Sequence, residues 1–83
     1  MEETIGNVLR RVIVPAFSRI NDVVVRQMGL SDLYYITFYI NDRIDYHDAF
    51  MIEKETKNIF NMISPGKGAD FVINYKRHED FQD

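Results

Sequence analysis

The sequence predicts an α+β domain in which two helices cover one face of a three-stranded mixed sheet, in the order α-β-β-α-β. Three observations lead to this fold class. Two segments carry apolar residues at helical spacing, three short segments alternate or are rich in β-branched and aromatic residues, and the first two of these strands are joined by a short polar turn. The 83 residues, 46% of them hydrophobic, have room for a single domain with a thin core over residues 1–83.

The first helix is predicted over residues 2–14. Its apolar residues recur at spacings of three and four, which places them on one side of the helix; they are Ile5, Val8, Leu9 and Val12. Pro15 cannot continue the hydrogen-bond ladder, so we expect the helix to end near Val14.

Two strands follow, at Asn21–Met28 and Leu33–Ile40. The four-residue turn between them is too short for a crossover, so they are expected to pair as an antiparallel hairpin. In the second strand the residues alternate between two faces. Tyr34, Ile36, Phe38 and Ile40 share one face, and Leu33, Tyr35, Thr37 and Tyr39 share the other.

The second face of that strand predicts an interface. If the helices cover the Phe38 face, then Tyr35, Thr37 and Tyr39 look outward as a half-apolar row, and exposed aromatic surface is typical of protein contacts. The alternative is that tyrosine simply suits a half-exposed strand. The small size of the chain favours a homodimer, because a second copy would cover surface that one thin core leaves exposed.

A long second helix is predicted over Tyr46–Ile63, with Asp42 or Asp45 as its N-cap. Its apolar side consists of Ala49, Ile52, Thr56, Ile59, Phe60 and Ile63. The Ser64–Gly68 segment breaks the helix, and a third strand at Asp70–Lys76 lies parallel to the second strand or to the first. Residues 77–83 are expected to form a flexible tail.

Composition excludes several classes of protein. The formal net charge of −3, from ten basic and thirteen acidic residues, argues against a nucleic-acid-binding module. Without cysteine there is no disulfide framework, thiolate zinc site or cysteine nucleophile. No apolar run reaches the ~18 residues of a membrane span. No nucleophile motif or pair of carboxylates in a pocket indicates catalysis, so we expect no enzyme.

The two histidines each stand beside carboxylates. His47 is flanked by Asp45 and Asp48, and His78 is followed by Glu79 and Asp80. Imidazole and carboxylate groups can together hold a divalent cation. The simpler interpretation is that both histidines are exposed to solvent, one in the first turn of a helix and one in the tail.

Four segments in order resemble one family. The stretch Asp22–Gly29, the strand Tyr34–Ile40, the helix start Ile44–Phe50 and the strand Phe71–Asn74 look like the C-terminal cytoplasmic domain of cation diffusion facilitators, which transport divalent metals. The similarity covers nearly the whole chain. It implies a metallochaperone-like fold, a homodimer attached to the transporter's membrane portion on the cytoplasmic side of a membrane, and cations that regulate transport from between the two copies. Magnetosome members, which carry iron, are one branch.

The usual histidine ligands of that family are absent from this chain. Asn21 stands before Asp22 where the family has histidine, and Phe50 follows Ala49 where the helix-start histidine belongs. Asn74 or Tyr75 replaces the histidine near the end of the third strand, and Thr37 or Phe38 replaces a further ligand of the second strand. These side chains lack the nitrogen that zinc or iron prefers. A divalent cation, zinc or iron, would therefore bind only weakly, through the set Asp22, His47, His78 and Asp80.

A different class of protein shares the same order of elements. The N-terminal domain of the ribosome maturation factor RimP also runs α-β-β-α-β, and its acidic helix start is similar to Asp45–Asp48. That family carries a Ser-Ser-Pro-Gly run after its third strand, whereas Ser64–Gly66 precedes the third strand here. A small ribosome-assembly or adaptor module is the alternative hypothesis.

Overall fold

Two helices and three strands follow one another in the predicted order. The computed structural model describes residues 2–30, 32–63 and 70–77. The elements are α1 (Glu2–Val12), a single 3-10 turn (Val14–Ala16), β1 (Ile20–Gln27), β2 (Leu33–Ile40), α2 (Tyr46–Ile63) and β3 (Asp70–Arg77). Neither helix within the described ranges combines the length and the apolar character that crossing a membrane requires.

The sheet has the strand order β1-β2-β3. β1 pairs antiparallel with β2, and β3 pairs parallel with β2. This confirms the predicted α+β fold class and its mixed three-stranded sheet. The prediction left open whether β3 lies beside β1 or β2, and the structure places it beside β2. α2 returns the chain from the end of β2 to the level of its beginning, so that β3 can run parallel to β2. β2 is therefore central, and β1 and β3 are the two edges.

The element bounds differ from the predicted ones at four ends, one of which is the end of β1, at Gln27 instead of the predicted Met28. α1 ends at Val12, and the 3-10 turn that contains Pro15 follows it, because a proline disfavours helical geometry in the residue before it. β1 begins at Ile20, one residue earlier than predicted, beside an irregularity in its pairing with β2. β3 includes Arg77, which the prediction assigned to the tail; residues 78–83 lie outside the described residues.

The helix α2 begins at an aspartate cap. The backbone N–H of Asp48 donates to the Asp45 side-chain oxygen at 2.8 Å, and the N–H of Ala49 donates to the Asp45 carbonyl at 2.9 Å. Of the two predicted caps, Asp45 therefore occupies the N-cap position. The Asp42 carboxylate accepts instead from the N–H of Arg43 at 2.7 Å, in the connection before the helix.

The core lies between the helices and one face of the sheet. Its most deeply buried side chains come from α1 and α2, from the residue that follows α1, and from β1 and β2; they are Ile5, Leu9, Ile13, Val23, Ile36, Phe38, Ile52 and Thr56. The Thr56 hydroxyl donates to the Ile52 carbonyl at 2.7 Å, so this polar group is satisfied within its own helix. Phe60 packs against Tyr34 and Phe71, with ring centroids 5.5 and 5.0 Å apart, which connects α2 to β2 and β3.

The Asp45 cap yields a stability prediction. We expect Asp45→Ala to lower the free energy of unfolding by about 1 kcal/mol, because the first turn of α2 loses the acceptor for an N–H. Asp42→Ala, the matched control, should change it by less than about 0.5 kcal/mol. Urea denaturation of both variants measures the difference, and equal losses would contradict the assignment of Asp45 as the cap.

Candidate functional site

The face of the sheet opposite the helices is a continuous surface built by strand alternation. On central β2 it carries Leu33, Tyr35, Thr37 and Tyr39. Register sets their neighbours: Thr37 lies between Val24 of β1 and Asn74 of β3. We call this surface the open face; its remaining members are Asp22, Arg26, Asp70, Val72 and Lys76.

Aromatic and aliphatic side chains occupy the middle of the open face and charges its margins. Tyr35 lies between Arg26 and Val72 in register, and Tyr35 and Val72 are 37% and 41% exposed. Large side chains of this kind, half-exposed on a flat sheet and surrounded by charges, resemble the composition of protein interfaces. The structure therefore places all three predicted interface residues, Tyr35, Thr37 and Tyr39, on one surface away from the helices. Their part in self-association stays a prediction.

Asp22, the predicted metal ligand on β1, is engaged by protein groups. Its Oδ1 lies 2.9 Å from the Nε of Arg10 and also accepts from the N–H of Val23 at 2.8 Å. The same arginine donates to the Val23 carbonyl at 2.9 Å, which ties α1 to the edge of β1. A cation that used this oxygen would have to compete with the guanidinium.

The other predicted ligands do not join Asp22 in a cluster that the structure describes. His47 is exposed in the first turn of α2, and His78 and Asp80 lie outside the described residues. Within residues 2–30, 32–63 and 70–77, no three histidine or carboxylate side chains come together in a way that could hold a metal ion. The weak cation site that needs His78 and Asp80 stays a prediction.

A groove beside β3, which the sequence analysis missed, runs along the helix side of the sheet. It encloses about 210 Å³ and is lined by Ala49 and Glu53 of α2 and by Phe71, Ile73 and Tyr75 of β3. The alternation of β3 predicted that these three side chains share a side. Each is only half-buried, because an edge strand has a neighbour on one side only and α2 does not extend over it completely.

Tyr75 is the titrating group of this groove. Burial raises the pKa of its phenol, and the nearby negative charge of Glu53 raises that pKa further. The ring also stacks on Phe38 of the core, with centroids 6.0 Å apart. The groove therefore presents the Glu53 carboxylate and the Tyr75 hydroxyl beside aliphatic and aromatic side chains.

Comparison with known proteins first defines the class of fold. No protein-family model matches the chain, and no curated protein matches it. Among solved structures, a similar chain superposes on this one with a TM-score of 0.52, and the match covers 90% of this chain and 86% of the other. That structure is the MamB CTD magnetosome protein of Desulfamplus magnetovallimortis BW-1, which is 23% identical. The predicted resemblance to the C-terminal domain of cation diffusion facilitators is thereby confirmed as a resemblance of fold.

The Tyr75 environment makes stability depend on alkaline pH. A phenol whose pKa is raised by folding stabilises the native state below its unfolded pKa, about 10, and this contribution is lost as the pH rises through the folded pKa. We expect the free energy of unfolding to fall above pH ~10, and to fall less steeply in Tyr75→Phe. Glu53→Gln should also reduce the slope, by less. Denaturation at several alkaline pH values measures it, and an unchanged slope in Tyr75→Phe would contradict the assignment.

Proposed function

We propose that this chain is a cytoplasmic regulatory and dimerisation domain of a divalent-metal transporter of the cation diffusion facilitator class. The observation that carries the proposal is the fold shared with the magnetosome MamB CTD over 90% of the chain, reached independently of the ordered motifs in the sequence. The domain is non-enzymatic, works as a homodimer, and serves the membrane portion of a transporter from the cytoplasmic side. Zinc, iron or manganese is the class of ion moved.

The open face supports the dimer part of the proposal. Both helices lie on the other side of the sheet, so Tyr35 and its neighbours are available to a second copy without any rearrangement. Packing two such faces together would cover the aromatic row, and buried tyrosines contribute much of the binding energy in protein interfaces. A domain of this size also gains stability from partner contacts because it buries a small share of its own surface.

The chemistry of the chain favours assembly over metal sensing. The histidine positions of the family hold Asn21, Phe50 and Asn74, and the carboxylate of Asp22 faces Arg10. A regulatory cation would therefore find few competent ligands between two copies. We infer that the domain holds the two subunits of a transporter together through a contact that does not require metal, and that bound metal contributes less to this association.

The dimer proposal predicts the effect of a charge on the open face. Tyr35→Asp and Tyr39→Asp should each weaken self-association about tenfold or more, because an aspartate in place of a central aromatic leaves a buried charge without a partner. Sedimentation velocity over a concentration series measures the dissociation constant.

Tyr46→Asp provides the matched control. Tyr46 is 96% exposed at the start of α2, away from the open face, so the same substitution there should leave the dissociation constant unchanged. Unchanged association in both open-face variants would show that this surface is not the contact. A chain that stays monomeric at high concentration, with and without zinc, would contradict the homodimer itself.

The loss of imidazole ligands predicts weak metal binding. We expect isothermal titration calorimetry with zinc to give no stoichiometric, high-affinity binding, because carboxylates and one or two isolated histidines hold zinc poorly. Arg10→Ala, which releases the Asp22 carboxylate from its ion pair, should increase the weak binding. Tight binding at one ion per chain in the unaltered protein would overturn the prediction.

A further inference from the structure

The two edge strands of the sheet differ in whether side chains bind their outer backbone groups. On the outer edge of β1, Arg10 of α1 donates to the Val23 carbonyl at 2.9 Å, and the Glu2 carboxylate accepts from the N–H of Gln27. Side chains of α1 therefore occupy backbone groups of that edge, which is a common protection against pairing with another chain. Among the described residues, no side chain or backbone group does the same along the outer edge of β3.

The backbone N–H and C=O groups of β3 point to its outer edge at alternate residues. The N–H of Asp70 donates to the Asp32 carbonyl, on the β2 side, at 3.1 Å. Since N–H and C=O groups alternate between the two sides of a strand, the groups of Phe71, Ile73 and Tyr75 point to the outer edge. These are also the residues whose side chains line the groove beside α2.

The side chains of β3 are self-complementary about Ile73. When two copies of the strand run antiparallel with Ile73 opposite Ile73, Phe71 comes opposite Tyr75 and Asp70 opposite Lys76. The first two pairings lie on the helix side and are apolar; the third lies on the open face and joins opposite charges at both ends. Asp70 and Lys76 would form non-hydrogen-bonded pairs, in which side chains approach most closely.

We propose that the β3 edge pairs antiparallel with the β3 edge of a second copy of this chain, with Ile73 at the two-fold axis. The two sheets then form one six-stranded sheet, and six backbone hydrogen bonds form from Phe71, Ile73 and Tyr75 of both copies. Both sets of helices lie on one side of this sheet and both open faces on the other. This contact uses a different surface from the open-face contact of the proposed function.

The groove beside β3 supports a second copy as the occupant. Its wall combines the Glu53 carboxylate and the Tyr75 hydroxyl with aliphatic and aromatic side chains, and the row that a second β3 brings to the helix side is again aliphatic and aromatic. The symmetric pairing leaves Asp70 and Lys76 with opposite charges facing them, whereas a shift of two residues would place Val72 opposite Lys76 and remove this match. The charges of Asp70 and Lys76 therefore favour both a second copy of β3 as the partner and the pairing register with Ile73 opposite Ile73.

Cysteine cross-linking tests the register, since the natural chain contains no cysteine. In the proposed pairing the two copies of residue 73 have Cα atoms about 5.5 Å apart, within disulfide range. Ile73→Cys should form a disulfide-linked dimer under mild oxidation. Asn74→Cys, whose two copies would lie about 8 Å apart, should not, although residue 74 is the more exposed. No cross-link at 73, or efficient cross-linking at 74, overturns the proposal.

Charge exchange tests the ion pairs independently of the cysteines. Lys76→Asp and Asp70→Lys should each weaken edge pairing about tenfold, as two attractive pairs become repulsive, and the double variant should restore it. Lys57→Asp, on the exposed side of α2, is the control and should have no effect. Circular dichroism verifies that each variant is folded. Failure of the double variant to restore pairing contradicts the proposal.

The tyrosine variants separate this proposal from the open-face dimer. In a chain that carries both Tyr35→Asp and Ile73→Cys, the cross-link at residue 73 should form as before, and its loss would count against an independent edge contact. Conversely, an open face that proves inert in sedimentation leaves the result at residue 73 unaffected. Each contact can thus fail without the other.

Discussion

The structure depends on burial of one face of the central strand. Ile36 and Phe38 of β2 are fully buried beneath the helices. Because side chains alternate along a strand, the residues between and beside them, such as Tyr35 and Tyr39, must point to the opposite side. Because both helices lie on the same side of the sheet, Tyr35 and Tyr39 lie on its other side, where Tyr35 is exposed and Tyr39 is partly buried. The apolar packing that holds the domain together is also what leaves a flat, aromatic surface available for a partner.

The two sheet edges show how one helix can decide where contacts form. α1 lies along β1 and its Arg10 serves three purposes at once, since it pairs with Asp22, contacts Asn7 and binds the Val23 carbonyl. α2 lies across β2 and reaches β3 mainly through Phe60 and Phe71. The β3 side therefore retains a groove and, as far as residues 2–30, 32–63 and 70–77 show, an edge without such protection, while charged side chains bind the backbone of the β1 edge.

The proposed relation to metal transport rests on the shared fold, and the ligand chemistry of the chain adds little to it. A cation centre between two copies needs nitrogen or carboxylate donors that no other group occupies. At β1 the carboxylate of Asp22 is held by an arginine, and the neighbouring family position is Asn21. If this domain regulates a transporter, contacts between sheets and strands are the means that its residues supply best.

Periodicity in the sequence was enough to determine the class of fold, the bounds of β2 and α2, and the two faces of β2, because burial on one side imposes a pattern that can be read from neighbouring residues alone. The sequence could not choose between Asp42 and Asp45 as the helix cap, or place β3 beside β2, since both depend on where the chain goes after the turn. Only the tertiary structure showed that Asp22 is paired with Arg10 and that Phe71, Ile73 and Tyr75 are half-covered. Those features arise from contacts between segments that are distant in the chain. The physical reason is that packing of the whole domain, and not the local residue pattern of a helix or a strand, decides how far a helix extends over an edge strand.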